Sequence, residues 1–113
     1  MLLHEQYCEE KQPKLLTEEE QNKFIKKHPQ WKISVDKKEI SRTFRFKDYY
    51  QTLLFINTVA DIAHRENHHP DIKFGYNTCT VNFSTLTVGG ITLLDMICAA
   101  HIEQLLSKLD FKI

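Results

Sequence analysis

The apolar residues of this chain change their spacing at Lys47 and change it back after Pro70, and that switch limits the folds open to it. Before Lys47 they alternate. Trp31, Ile33 and Val35 are separated by Lys32 and Ser34, while Ile40, Arg42, Phe44 and Phe46 fall on one face. A period of two marks half-buried strands, and the polar turn Asp36-Lys37-Lys38 joins these two into a hairpin. From Lys47 the steps become three and four: Tyr49, Tyr50, Leu53, Ile56, Asn57, Ala60 and Ala63 predict a long amphipathic helix. It should stop near Asn67, because Pro70 is close behind. Alternation then returns through Ile72, Phe74 and Tyr76. Asn77-Thr78 turns the chain, and Val81 and Phe83 alternate with Thr80, Asn82 and Ser84 as a second hairpin.

Helices close both ends of this pattern. Thr17 followed by Glu20 is a capping box, so a short helix should run to about Lys27, with Leu16, Phe24 and Ile25 supplying its contacts. His28-Pro29 ends it, since a residue before proline is pushed out of the helical region. After Val88-Gly89-Gly90, the residues Leu93, Leu94, Ile97, Ala100, His101, Leu105 and Leu109 make a last helix. The order is helix, two strands, helix, two strands, helix, which predicts an α+β sandwich with an antiparallel sheet. Residues 1 to 14, polar and carrying Pro13, read as a loose N-terminal arm, and 15 to 113 as a single domain.

Bulk properties narrow the function. A chain of 113 residues holds one core. Fifteen basic and fifteen acidic residues cancel, so no strong pull on nucleic acid or anionic membranes is expected, and self-association is permitted. No apolar run approaches the ~18 residues of a membrane span, and Met1-Leu2-Leu3-His4-Glu5 lacks the layout of a signal peptide. Cys8, Cys79 and Cys98 show no CxxC spacing, as expected of reduced thiols in a cytoplasmic protein. Leu93, Leu94, Met96, Ile97, Ile102, Leu105 and Leu106 place apolar side chains on more than one face of the last helix, which points to an oligomer.

Three of the six histidines, His64, His68 and His69, fall within the seven residues that end at Pro70. Imidazole is the side chain suited to moving protons near neutral pH. Three chemistries fit the cluster. As ordinary surface residues they would do nothing in particular. As a metal site, His64 and His68 would act as an i,i+4 pair with Asp61 or Asp71, although the consecutive side chains of His68 and His69 diverge and no HExxH pattern occurs. As an acid/base site, two diverging imidazoles on a helix-to-strand turn would line a pocket from two sides. No GxSxG or Gly-rich phosphate loop suggests nucleophilic or phosphoryl chemistry.

The spacing around the cluster resembles a known pattern. It is an acidic, Lys or His residue, three positions, His-His-Pro, an aromatic after five or six positions, His or Trp after nine more, and an Asp eight or more further on. Here His64, His68-His69-Pro70, Tyr76 and Asp95 fill it, and Leu86 stands where His or Trp is expected. Phe44-Arg45-Phe46-Lys47-Asp48-Tyr49, Ser84-Thr85, Gly89 and Trp31 extend the likeness over roughly 15 to 109. The chain resembles the pterin-4a-carbinolamine dehydratases, also known as dimerisation cofactors of a homeodomain transcription factor. The resemblance implies a four-stranded antiparallel sheet with three helices on one face, and homodimers or homotetramers. It implies loss of water from 4a-hydroxytetrahydropterin to give quinonoid dihydropterin, without metal or organic cofactor, downstream of an aromatic amino-acid hydroxylase. His68 and His69 would then be the catalytic pair, His68 as the leading acid/base and His69 to orient or bind the pterin. Ser84, Thr85 and Asp95 would lie around the ring, with His64 and Asn67 at the rim. Leu86 can neither donate nor accept a proton. The resemblance therefore also allows weakened or epimer-selective dehydration, or a non-catalytic assembly or coactivator role.

Overall fold

The computed structural model describes residues 14–108; the predicted arm before Lys14, Cys8 and the predicted end of the last helix at Leu109 lie outside them. The elements follow the predicted order: α1 (Glu18–Lys27), β1 (Lys32–Ile33), β2 (Ile40–Arg45), α2 (Tyr49–Glu66), β3 (Asp71–Phe74), β4 (Thr78–Phe83) and α3 (Leu93–Lys108). They form one antiparallel sheet in the order β1-β2-β4-β3. Its centre is the six-residue pairing of β2 with β4, from Ile40 opposite Phe83 to Arg45 opposite Thr78. Ile40 and Phe44 of β2 and Cys79, Val81 and Phe83 of β4 are buried on the face that the helices cover. Ser41, Thr43, Thr80 and Asn82 alternate with them on the other face.

The first helix begins at the capping box read from the sequence. Thr17 Oγ1 accepts from the Glu20 N–H and Glu20 Oε1 accepts from the Thr17 N–H, at 3.2 and 3.0 Å. Hydrogen bonding to Thr17 also holds the Glu20 carboxyl below its usual range. The following strand is shorter than its alternation predicts, because Val35 is fully exposed. Ser34 and Asp36 take the backbone for a turn: Ser34 Oγ accepts from the Lys38 and Glu39 N–H groups, and Asp36 Oδ1 accepts from Lys38. Such short polar side chains compete with a strand ladder for backbone partners.

A second difference concerns α2. Its buried stripe is Thr52, Phe55, Val59, Ile62, Ala63 and Glu66. Of the predicted face, only Ala63 is buried; Leu53 and Ile56 are half-buried, and Tyr49, Tyr50, Asn57 and Ala60 are exposed. The helix carries apolar residues on two neighbouring stripes, and the sheet selects the one bearing Phe55, which packs on Phe44 and Phe46 at 4.5 and 4.9 Å. Thr52 fixes that rotation through its hydroxyl, whose single proton is shared between the carbonyls of Asp48 and Tyr76, each at 2.9 Å. Of the seven apolar residues of α3 that suggested association, Met96, Ile97 and Ile102 are buried, Leu94, Leu105 and Leu106 are half-buried and Leu93 is 44% exposed.

Trp31 closes the core at the β1 end. It is 1% exposed and sits edge-on to Phe44 and tilted to Phe83. Its Nε1–H donates to Glu103 Oε2 at 2.9 Å, and Arg42, stacked over Phe44, pairs with the same oxygen. Trp31→Ala removes the largest buried side chain and a partner of Glu103. It should lower unfolding free energy in urea by about 3–5 kcal/mol.

His28, at the end of α1, has its pKa pushed below the ordinary 6.5, chiefly by burial, with Lys27 adding to the effect and Glu103 opposing it. Its ring also packs on Phe24. A depressed pKa means that protons prefer the unfolded chain. The stability is complete above pH 6.5 and declines as pH falls below it. The melting temperature should therefore fall between neutral pH and mild acid, and less steeply in His28→Gln.

Candidate active site

The histidine cluster sits where α2 gives way to β3. Asn67 caps the helix in the left-handed conformation, φ 51° and ψ 41°, which Asn tolerates better than most residues. The Asn67 N–H reaches the His64 carbonyl at 3.3 Å and the His68 N–H reaches that of Ala63 at 3.1 Å, the double closure of a Schellman end. This turn takes His68 out of the helical path. His64 and His68 do not share a helical face, so the paired-ligand reading does not describe them. His64, Asn67 and His69 are exposed, and His68 is turned inward with 11% of its side chain accessible.

Three elements converge on the His68 ring. From the sheet, Phe83 of β4 stacks nearly parallel to it, 6.0 Å between centroids at 10°. From the first turn of α3, Asp95 Oδ1 lies 2.6 Å from His68 Nε2. From the residue after Ser84, the Thr85 hydroxyl donates to Asp95 Oδ2 at 2.9 Å, and the Thr92 N–H donates to the same oxygen at 2.8 Å. Asp95 is 0% exposed. A carboxylate withdrawn from water must be hydrogen-bonded, and here both oxygens are engaged. A carboxylate accepts and does not donate, so the proton of the 2.6 Å contact belongs to Nε2. Nδ1 makes no hydrogen bond among the described residues and is not sealed away as a buried unpaired atom. The arrangement is an oriented imidazole with one nitrogen available, suited to proton transfer.

Of the residues singled out from the sequence, the structure joins His68, Thr85 and Asp95 directly. Asp95 and Thr85 are buried, at 0% and 4% exposure. Ser84 points to the other face of the strand and donates to the Lys38 carbonyl at 2.7 Å. Leu86 follows Thr85 on the loop closed by the Thr85–Gly90 bridge and is 89% exposed. That loop has a conformational need for glycine at Gly89, where φ is +69°, whereas a Cβ on Gly90 would meet only the end of the exposed Leu15 side chain, at 2.6 Å. Thr92 was not singled out. Its spacing to Asp95, Thr-x-x-Asp ahead of an apolar run, was the available signal. Among the described residues no group of three His, Cys, Asp or Glu could hold a metal. Cys79 is sealed in the core, and burial pushes its thiol up to about 11, away from nucleophilic use.

The family model described as pterin 4 alpha carbinolamine dehydratase matches residues 14–105. The chain belongs to that family. Its relatives agree. A Nitrosomonas eutropha protein, provisionally named a pterin-4-alpha-carbinolamine dehydratase, is 44% identical over 88% of this chain and 86% of its own. One from Stenotrophomonas maltophilia with the same provisional name is 51% identical over 72% of this chain and 70% of its own. A solved Brucella melitensis structure, described as a transcriptional coactivator/pterin dehydratase, superposes with TM-score 0.77 at 30% identity, over 80% of this chain and 97% of that one. A pterin dehydratase-like protein identified as a RuBisCO assembly factor shares the fold, with TM-score 0.57 at 24% identity over 66% of this chain.

Within this dehydratase-family fold, Asp95 has a measurable structural cost of removal. Asp95→Ala leaves Thr85, the Thr92 N–H and His68 without their shared acceptor, and each such loss costs about 1–3 kcal/mol. The urea midpoint should fall with the denaturant slope unchanged.

Proposed function

We propose that this protein dehydrates 4a-hydroxytetrahydropterin to quinonoid dihydropterin, with His68 as its acid/base. The observation that carries the reading is the His68–Asp95 contact in a chain of the dehydratase family. In the proposed step, Nδ1 takes the N5 proton while the C4a–O bond breaks and a C4a=N5 double bond forms. The imidazolium, its charge opposed by Asp95, returns that proton to the departing hydroxide, which leaves as water. The enzyme ends as it began, and the step needs no metal or organic cofactor.

The other site residues take roles from their placement. His69 and Leu86, both exposed beside the inner cluster, border the pterin, with His64 and Asn67 further out at the helix end. Asp95 and Thr85 act through His68, and Ser84 serves the strand edge. Such an enzyme would return the cofactor of an aromatic amino-acid hydroxylase to use. Exposed Tyr49, Tyr50 and Leu54 of α2 support association of the chain as a homodimer or homotetramer.

Leu86 shapes the chemistry by what it lacks. An imidazole there would serve a second face of the pterin, and leucine cannot. The proposed enzyme is therefore selective for one 4a epimer. Leu86 is also the observation that favours the second reading, a non-catalytic assembly or coactivator protein on the same fold.

A dehydration assay on both carbinolamine epimers separates these. Wild type should accelerate one epimer more than the other. His68→Ala should lose about 10²–10⁴-fold on that epimer, and Leu86→His should raise the rate on the other. If wild type never exceeds the uncatalysed rate on either epimer, the enzyme reading fails and the assembly reading stands.

A further inference from the structure

The geometry points to Thr92, which lies outside the family's spacing pattern, as a positioning residue that fixes which nitrogen of His68 meets the substrate. The inference rests on the proposed acid/base role of His68 and adds a mechanism for how that imidazole is set.

The hydrogen bonds around Asp95 run in one direction. The Thr85 hydroxyl has a single proton, and it goes to Asp95 Oδ2 at 2.9 Å. The 2.7 Å contact between the Thr85 and Thr92 hydroxyls must then be donated by Thr92. Thr92 Oγ1 in turn accepts from the Leu94 N–H at 3.2 Å, within the first turn of α3. A chain of donors therefore leads from the α3 N-terminus through Thr92 and Thr85 to the carboxylate. The Thr92 N–H supplies a second donor to the same oxygen at 2.8 Å. Bonds aligned in this way strengthen one another, and the positive end of the helix adds to them.

Oδ2 is saturated by this relay, so the carboxylate cannot turn. Oδ1 is left as the acceptor for Nε2–H, and the neutral imidazole is held in the tautomer with its lone pair on Nδ1. Phe83 fixes the plane of the ring, and the relay fixes which nitrogen carries the proton. The Thr92 turn is itself held in place. Leu15 bridges Thr92, and the Leu16 N–H donates to the Ile91 carbonyl at 2.9 Å. Thr92 touches neither the imidazole nor a ligand. Its effect passes through Thr85 and Asp95.

Long-range ¹H–¹⁵N NMR of the histidine rings, at about pH 8 where an ordinary imidazole is neutral, reads the tautomer directly. Wild type should show His68 with a protonated Nε2 and an unprotonated Nδ1. Thr92→Val should give averaged ring shifts and lower kcat by roughly tenfold, as expected for a misplaced catalytic group, with KM little changed. Thr92→Ser, which keeps the hydroxyl, should restore both the shifts and kcat. A wild-type spectrum with the proton on Nδ1 overturns the inference, and so does a Thr92→Val protein with unchanged shifts and kcat. Should Thr92→Val fail to fold, Thr92→Ala, which removes the same hydroxyl without the branched side chain, takes its place in both measurements. Absence of dehydration in wild type would refute the proposed reaction and leave the tautomer measurement to judge the relay separately.

Discussion

The structure turns on one buried carboxylate. Asp95 is fully enclosed, yet both its oxygens are hydrogen-bonded, to a strand-end hydroxyl, a helix-start amide and the one inward-facing imidazole of the histidine cluster. Burying such a group offers little net stability, since desolvation consumes much of what the contacts return. Its presence makes sense as a means of setting which nitrogen of the His68 ring, already stacked on Phe83, carries the proton.

The rest of the fold brings the parts of this contact together. The β2–β4 pairing is the longest in the sheet and delivers Phe83 and Thr85 to the helix-covered side. α2 ends in a left-handed Asn67 that redirects the chain so that His68 faces inward. α3 is anchored at two places, by Asp95 in its first turn and by Glu103 further along, where Trp31 and Arg42 converge on one oxygen. These two ties set the register of α3 against the sheet and place the carboxylate beside the imidazole.

Much of this was legible in the sequence because it is local. The period switch at Lys47, the Thr17–Glu20 box and the stop before Pro70 each depend on residues within one turn or strand, and each element appears where that logic puts it. The misreadings arose where several local patterns competed. Two apolar stripes on α2 look alike until the sheet selects Phe55, and Val35 continues an alternation that Ser34 and Asp36 interrupt. The histidine cluster drew attention by its density. Its residues are distinguished by a partner 27 positions away, which no periodicity reveals and only the family spacing hinted at. The inward role of Asp95 and Thr85, and the part of Thr92 behind them, became visible only when three elements were seen to meet.

The central claim is that the Asp95-held imidazole of His68 is the group that meets the pterin. A crystal structure of the protein with a non-reacting analogue such as 7,8-dihydrobiopterin tests it most directly. The account predicts the N5–C4a edge of the ring within about 2.6–3.2 Å of His68 Nδ1, with Asp95 making no contact to the ligand. A pterin seated away from His68, or one bonded to Asp95 in place of the imidazole, would contradict it.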